Sequence, residues 1–167
     1  MADLERLYDV HWEIVGNLGD LKSFSVTEQH VLYQLCGHHS LYGPSQLLYI
    51  GRSEEIQHRL ESHSKSWAAG ESDVVHVRAA TVGVFSTWEQ WVADKRPRYD
   101  QRIDVRLVAA IEILLIYAHQ PAYNSQSLAT APDPLDGVHL RIFNTGKYAP
   151  LLPEVSTRRY RDVRRPT

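Results

Sequence analysis

Residues 47–63 read LLYIGRSEEIQHRLESH, from Leu47 to His63, and they predict a short apolar strand, a glycine turn with a polar rim, and a helix that starts at once. Tyr49 and Ile50 favour an extended strand, Gly51 permits backbone shapes that other residues resist, and Ser53 is placed to cap a helix beginning near Glu54. On that helix Ile56 and Leu60, four apart, make an apolar line, while Arg59 and His63, also four apart, share a neighbouring face. A cation and an imidazole therefore stand beside the strand end where Tyr49 emerges. One interpretation is an amphipathic helix with a Glu55–Arg59 surface ion pair. The other is an anion site, because a guanidinium offers a fixed fork of donors suited to phosphate oxygens.

Upstream, His30 to Leu35 alternates as a strand with Tyr33 in its middle and Gly37 at its end. GHHSLYGPSQ (37–46) then reads as a turn-rich insertion between two hairpin strands. His38 and His39 are adjacent, cannot easily share one metal, and have no carboxylate close in sequence, so they suit a loop that touches a ligand or has no role. Residues 3–18 place Leu4, Leu7, His11, Ile14, Val15 and Leu18 at helical spacings and predict an N-terminal helical arm, in which Tyr8 and Trp12 are packing residues.

Downstream, Val74 to Val82 is expected to add a third strand, with Val75, Val77 and Ala79 alternating against His76, Arg78 and Ala80. The section from Phe85 to Arg98 combines Trp88 and Trp91 with Lys95, Arg96 and Arg98, which suits a short helix completing the core or a nucleic-acid contact. A longer helix starts at Asp100 or Asp104 and runs through His119 to a stop at Pro121. Its run VRLVAAIEILLIYA is apolar on nearly every face, so it is expected to be the central helix. Glu112 interrupts that run and would cost several kcal/mol to bury unsatisfied, so it needs an arginine, a tyrosine hydroxyl or a divalent cation as partner. PAYN returns Asn124 to the helix end. The stretch 125–136 reads as a linker, Val138 to Phe143 as a short strand, Asn144 to Gly146 as a turn, and 158–165, with Arg158, Arg159 and Arg161, as a cationic tail that is solvated or attracts phosphate.

At 167 residues, 43% hydrophobic, the chain can bury one sizeable core. Its formal charge of −2 does not announce a nucleic-acid binder, yet binding can rest on a local cationic patch. Cys36 is the only cysteine, which excludes an internal disulfide and a cysteine-rich zinc site and fits a small buried apolar residue. No basic start followed by an apolar run marks secretion, and the apolar run near residue 110 is short for a bilayer and carries a glutamate, so a soluble cytoplasmic protein with no membrane partner is expected.

The ordered series Tyr33, Tyr49-Ile50-Gly51, Arg59, His63, Glu112 and Asn124 resembles the GIY-YIG nuclease family over residues 28–125. The second motif stands unchanged, whereas the first survives as Val31-Leu32-Tyr33, with Val31 in place of its glycine. The long connection from Tyr33 to Tyr49 is similar to elaborations in restriction-enzyme members. The resemblance implies an α+β fold, a small three-stranded antiparallel sheet flanked by helices. The helical arm would then occupy 1–27, the nuclease-like domain 28–125, and a C-terminal extension with a short strand and basic tail 126–167.

It further implies a metal-dependent DNA endonuclease of restriction, sequence-specific type that leaves a 5′-phosphate and a 3′-hydroxyl, using one divalent ion, Mg2+ or Mn2+, on Glu112. In that scheme Tyr33 is the general base, with the phenolate favoured by the metal, Arg59 and His63. Tyr49 holds the water or a phosphate oxygen in line, Arg59 stabilises transition-state charge, and Asn124 braces the site. The partner is double-stranded DNA, with His38, His39, Ser53, Lys95, Arg96, Arg98, Arg158, Arg159 and Arg161 as candidate contacts. A palindromic target would imply a twofold homodimer with the N-terminal arm as its seam. The competing expectations are a catalytically inactive nucleic-acid-binding protein on the same scaffold, and a structural domain in which Glu112 pairs with Arg59.

Overall fold

The computed structural model describes residues 4–20, 22, 24–66, 74–85, 89, 92–93 and 103–161. In chain order they form β1 (Glu5–Asn17), β2 (Leu32–His39), β3 (Gly43–Arg52), α1 (Ile56–Ser66), β4 (His76–Phe85), α2 (Val105–His119), β5 (His139–Gly146), β6 (Glu154–Ser156) and α3 (Thr157–Arg161). The strands make one six-stranded sheet in the order β3-β2-β4-β1-β5-β6. The β1–β5 pair is parallel and the other pairs are antiparallel. The expected small three-stranded sheet is therefore corrected: β3, β2 and β4 are present and paired, but as one half of a mixed sheet curled into a half-barrel.

The second correction is the N-terminal arm. Glu5 to Asn17 is not a helix but the strand β1, hydrogen-bonded to β4 on one side and β5 on the other. Tyr8, Val10 and Trp12 alternate and are buried in the cluster around α2, while Val15 and Leu18 join the cluster around α1. Because both faces of this strand meet apolar partners, its apolar residues also fell at helical spacings. The β-branched and aromatic content, which suits a pleated surface, is what decided. Both edges of β1 are thus taken up in pairing within the chain.

The sheet curls because α2 touches both of its edge strands, β3 and β6. Leu107, Val108, Ile111, Leu114, Leu115 and Ile116 of α2 are buried against the concave face, each worth about 1.5–3 kcal/mol of transfer free energy. The helix begins at the second of the two starts its sequence offers: Asp104 caps it by accepting from the Arg106 N–H at 2.9 Å. It ends at Gln120, whose backbone is left-handed (φ 49°, ψ 58°) and whose N–H bonds the Ile116 carbonyl. The parallel β1–β5 pairing is latched by Asn144, which accepts from Trp12 Nε1 at 2.9 Å and donates to the Leu152 carbonyl at 2.8 Å. Asn144 to Gly146 thus lie within β5 and not in a turn.

The 37–46 insertion is mostly strand. β2 runs through Gly37 to His39, residues 40–42 turn, and β3 begins at Gly43. Among the described residues no helix is long and apolar enough to cross a membrane.

Candidate active site

Gly51 organises the site, for a reason different from the one its sequence suggests. It lies in β3 directly across from Tyr33 of β2, and a Cβ there would stand 2.5 Å from both Cζ and Oη of Tyr33 and 2.8 Å from Cε1 of Tyr49. The missing side chain makes room for the Tyr33 ring, and no unusual backbone shape is involved. Tyr33 and Tyr49 stack with centroids 6.0 Å apart and planes inclined by 25°. Tyr49, two strand residues before Gly51 and paired with Leu35 in unbroken register, shares the sheet face of Tyr33 and packs on the same cluster.

Helix α1 supplies the next two groups. Ser53 Oγ accepts from the Glu55 N–H at 3.0 Å and starts the helix, so this candidate DNA contact has a structural task. Ile56 and Leu60 pin α1 to the sheet, which brings His63 Nε2 to 2.9 Å from the Tyr33 hydroxyl. The His63 ring also lies 5.0 Å from that of Tyr49. Arg59 presents its guanidinium to both phenols, an interaction that holds its own proton more firmly.

Burial governs the electrostatics. Tyr33 is 1% exposed, and desolvation pushes its phenol well above the ordinary tyrosine value, with Tyr49 adding to the rise; Arg59 opposes it without reversing it. Without a metal, Arg59 alone does not favour the phenolate, and Tyr33 keeps its proton as a neutral phenol. His63 is pushed the other way, below the usual histidine range, first by burial and then by Arg59. A neutral imidazole therefore faces a neutral phenol.

Glu112 joins from α2. Its charge raises the Tyr33 pKa, and its own pKa is raised chiefly by desolvation, against the attraction of Arg52 and Arg59. Arg52 Nε holds Glu112 Oε2 at 2.9 Å, so the ion pair expected between Glu112 and Arg59 is corrected to one with Arg52. Sequence reasoning missed Arg52, although its place directly after Tyr49-Ile50-Gly51 put it at the strand end the site grows from. Asn124 does not face the reacting groups. Its Oδ1 accepts from Ile50 N–H and its Nδ2 donates to the Ile50 carbonyl, both at 2.9 Å, covering the open edge of β3 as a neighbouring strand would.

Among the described residues, no group of three or more His, Cys, Asp and Glu side chains is arranged to hold a metal ion. The compact GIY-YIG form is corrected in sheet architecture, a six-stranded half-barrel in place of three strands, and the one ligand expected for magnesium, Glu112, has no further carboxylates or imidazoles grouped with it for a metal among the described residues. Glu112, a half-buried carboxylate with side-chain exposure of 19%, is the group that could contribute a single oxygen ligand. Arg52, 42% exposed, now occupies that carboxylate and has space to leave it.

The other candidate contacts are scattered. His38 is exposed in the β2–β3 hairpin and His39 Nδ1 accepts from the Leu41 and Tyr42 N–H groups at 3.2 Å. Arg158 and Arg159 are exposed on α3, beside β6 at the sheet edge opposite β3, and the structure does not bring them to the tyrosines. Trp88, Trp91, Lys95, Arg96 and Arg98 lie outside the described residues, as does the side chain of Arg161. No family model, curated protein or solved structure matches this chain.

Proposed function

We propose that the cluster of Tyr33, Tyr49, Arg59, His63 and Glu112 is the hydrolytic centre of a DNA endonuclease. The observation that carries this reading is the contact of the Tyr33 hydroxyl with His63 Nε2 at 2.9 Å beside the Arg59 guanidinium. A proton acceptor in the inside of the protein, next to an exposed fork of donors for phosphate oxygens, is what in-line phosphodiester hydrolysis requires. The residue series that resembles the GIY-YIG nucleases supports the same reading, because the corrected sheet leaves those side chains together.

Arg59 would bind nonbridging phosphate oxygens and stabilise the charge that grows on them in the transition state. Tyr49 would hold the attacking water in line. As the water oxygen bonds to phosphorus, its proton passes to the Tyr33 oxygen while the Tyr33 proton passes to His63 Nε2, which must begin unprotonated with its hydrogen on Nδ1. The bond from phosphorus to the 3′ oxygen breaks, and that oxygen takes a proton from solvent, leaving a 5′-phosphate and a 3′-hydroxyl. Glu112 would hold a divalent ion such as magnesium or manganese, which would supply positive charge to the phosphate and the leaving oxygen.

The test is incubation of mixed-sequence DNA with the purified protein and magnesium or manganese, followed by sequencing of the fragment ends. Recurrent sequences at 5′-phosphorylated ends identify restriction-type cleavage. Intact DNA, with plasmid un-nicked, refutes turnover. The Arg52–Glu112 pair favours a second reading, a nucleic-acid-binding protein without turnover, which retarded but uncut DNA would support.

A further inference from the structure

We propose that His39, Tyr42 and Tyr123 form a shelf on which an unpaired nucleobase stacks, at the hairpin end of the strands that carry Tyr33 and Tyr49; this rests on the nuclease reading above. Among the described residues, Trp12 and Tyr33 are 0% and 1% exposed and most other aromatic rings are at least partly covered. Tyr42 and Tyr123 depart from that habit, at 64% and 38% exposed, next to Leu41 at 77%. His39 and Tyr42 stack with centroids 4.6 Å apart and planes inclined by 23°. Tyr123 adds its ring 5.5 Å from His39.

The shelf is built rather than accidental. His39 is fixed by the two turn N–H groups that donate to its Nδ1, so the turn itself sets the ring that Tyr42 stacks on. Tyr123 is fixed from the other side, because its N–H donates to the Leu48 carbonyl at 2.8 Å and Ala122 N–H to the Leu47 carbonyl at 3.2 Å. A cleft of about 220 Å³ opens beside Tyr42, lined by Gln46, Leu47, His119, Gln120, Ala122 and Pro150.

Its position suggests the occupant. The cleft comes first, since Gln46 precedes Tyr49 by three strand residues, about 10 Å, and the shelf lies beyond it, His39 following Tyr33 by six residues of β2, about 20 Å. A strand with its phosphate at the tyrosines would pass the cleft and carry bases about six nucleotides on, at a rise of about 3.4 Å each, to the shelf. A base inside a duplex has both faces taken by its neighbours, whereas an unpaired base offers its π-face to exposed aromatic rings. The shelf therefore selects DNA that is single-stranded, frayed or distorted beside the cut.

The experiment measures binding by anisotropy in EDTA, which excludes cleavage, using labelled oligothymidylate and a strand of equal length built from abasic deoxyribose phosphates. The expected result is that Tyr42→Ala weakens oligothymidylate binding about 5- to 100-fold, leaves the abasic strand unchanged, and that Tyr42→Trp restores the difference. Equal loss on both strands, or loss on neither, overturns the shelf. Failure of the underlying reading looks different: the wild-type protein then binds neither strand, and Arg59→Ala changes nothing. Such a result overturns both. Thermal unfolding of each variant separates lost contact from lost fold, since these ring positions are exposed.

Discussion

Asn124→Ala tests the edge-covering role that the structure gives this residue. The substitution deletes an acceptor and a donor, each 2.9 Å from the main chain of Ile50, at a site where Asn124 is 9% exposed and Ile50 fully buried. The Ile50 N–H and carbonyl would both be stranded, at about 1–3 kcal/mol for each buried group, so a loss of roughly 2–5 kcal/mol is expected. For a chain of this size that corresponds to a fall in Tm of roughly 4–20 °C. Asn124→Asp refines the test, since it keeps the acceptor for Ile50 N–H but sets a carboxylate oxygen against the Ile50 carbonyl. That repulsion raises the folded-state pKa above the unfolded value of about 3.9. Ionisation then costs stability, fully above the raised folded pKa, and the penalty fades as the pH falls toward the unfolded value. Urea unfolding at pH 7 and pH 4 reads both effects: the Asp variant, compared with wild type, should recover part of its loss at pH 4. A Tm within 1 °C of wild type for the Ala variant would refute the reasoning, as would a pH-independent deficit for the Asp variant.

Glu112→Gln should abolish DNA cleavage while leaving DNA binding largely intact. Burial raises the Glu112 pKa above its ordinary 4.5, so the wild-type protein loses stability as pH rises through that titration, and urea unfolding from pH 4.5 to 7 should show a flatter profile for the Gln variant. Tyr33→Phe leaves His63 Nε2 without its partner and should cost about 1–2 kcal/mol of stability. If the phenol relays the proton, the same change lowers kcat about 10²- to 10⁴-fold, and an unchanged kcat removes Tyr33 from the chemistry. Gly51→Ala forces a methyl group to 2.5 Å from the Tyr33 hydroxyl; about 1–3 kcal/mol of destabilisation is expected, with loss of the Tyr33–Tyr49 stack readable in the near-ultraviolet circular dichroism. Arg59→Lys should weaken phosphate binding and kcat together, because a point charge does not reproduce the planar fork.

Much of the candidate site was legible because its signals are local. Tyr49, Gly51, Ser53, Arg59 and His63 lie within one strand–helix unit, where spacing alone sets the shared face. Glu112 announced itself by cost, as a carboxylate in a run that had to be buried. The identity of its partner was not legible, because Arg52 and Arg59 are both within reach of the strand and helix that carry them and only packing chooses Arg52. The burial of Tyr33 was not legible for a related reason: nearby cations such as Arg59 are visible in a sequence, whereas the depth of burial that outweighs Arg59 is not.

The strand–turn–helix unit, the caps of α2 at Asp104 and Gln120, and the inward face of that helix were determined by the chain on its own, since each depends on neighbours within a few residues. The sheet was decided only by tertiary structure. Residues 5–17 carry spacings compatible with a helix or with a strand, and the parallel alignment with β5 joins segments more than 130 residues apart in sequence. Pairing across that separation depends on Trp12 meeting Asn144 and on α2 filling the curl between both sheet edges. Such contacts leave no periodic trace in either segment, because the energy that selects the strand comes from the partner and not from the segment itself.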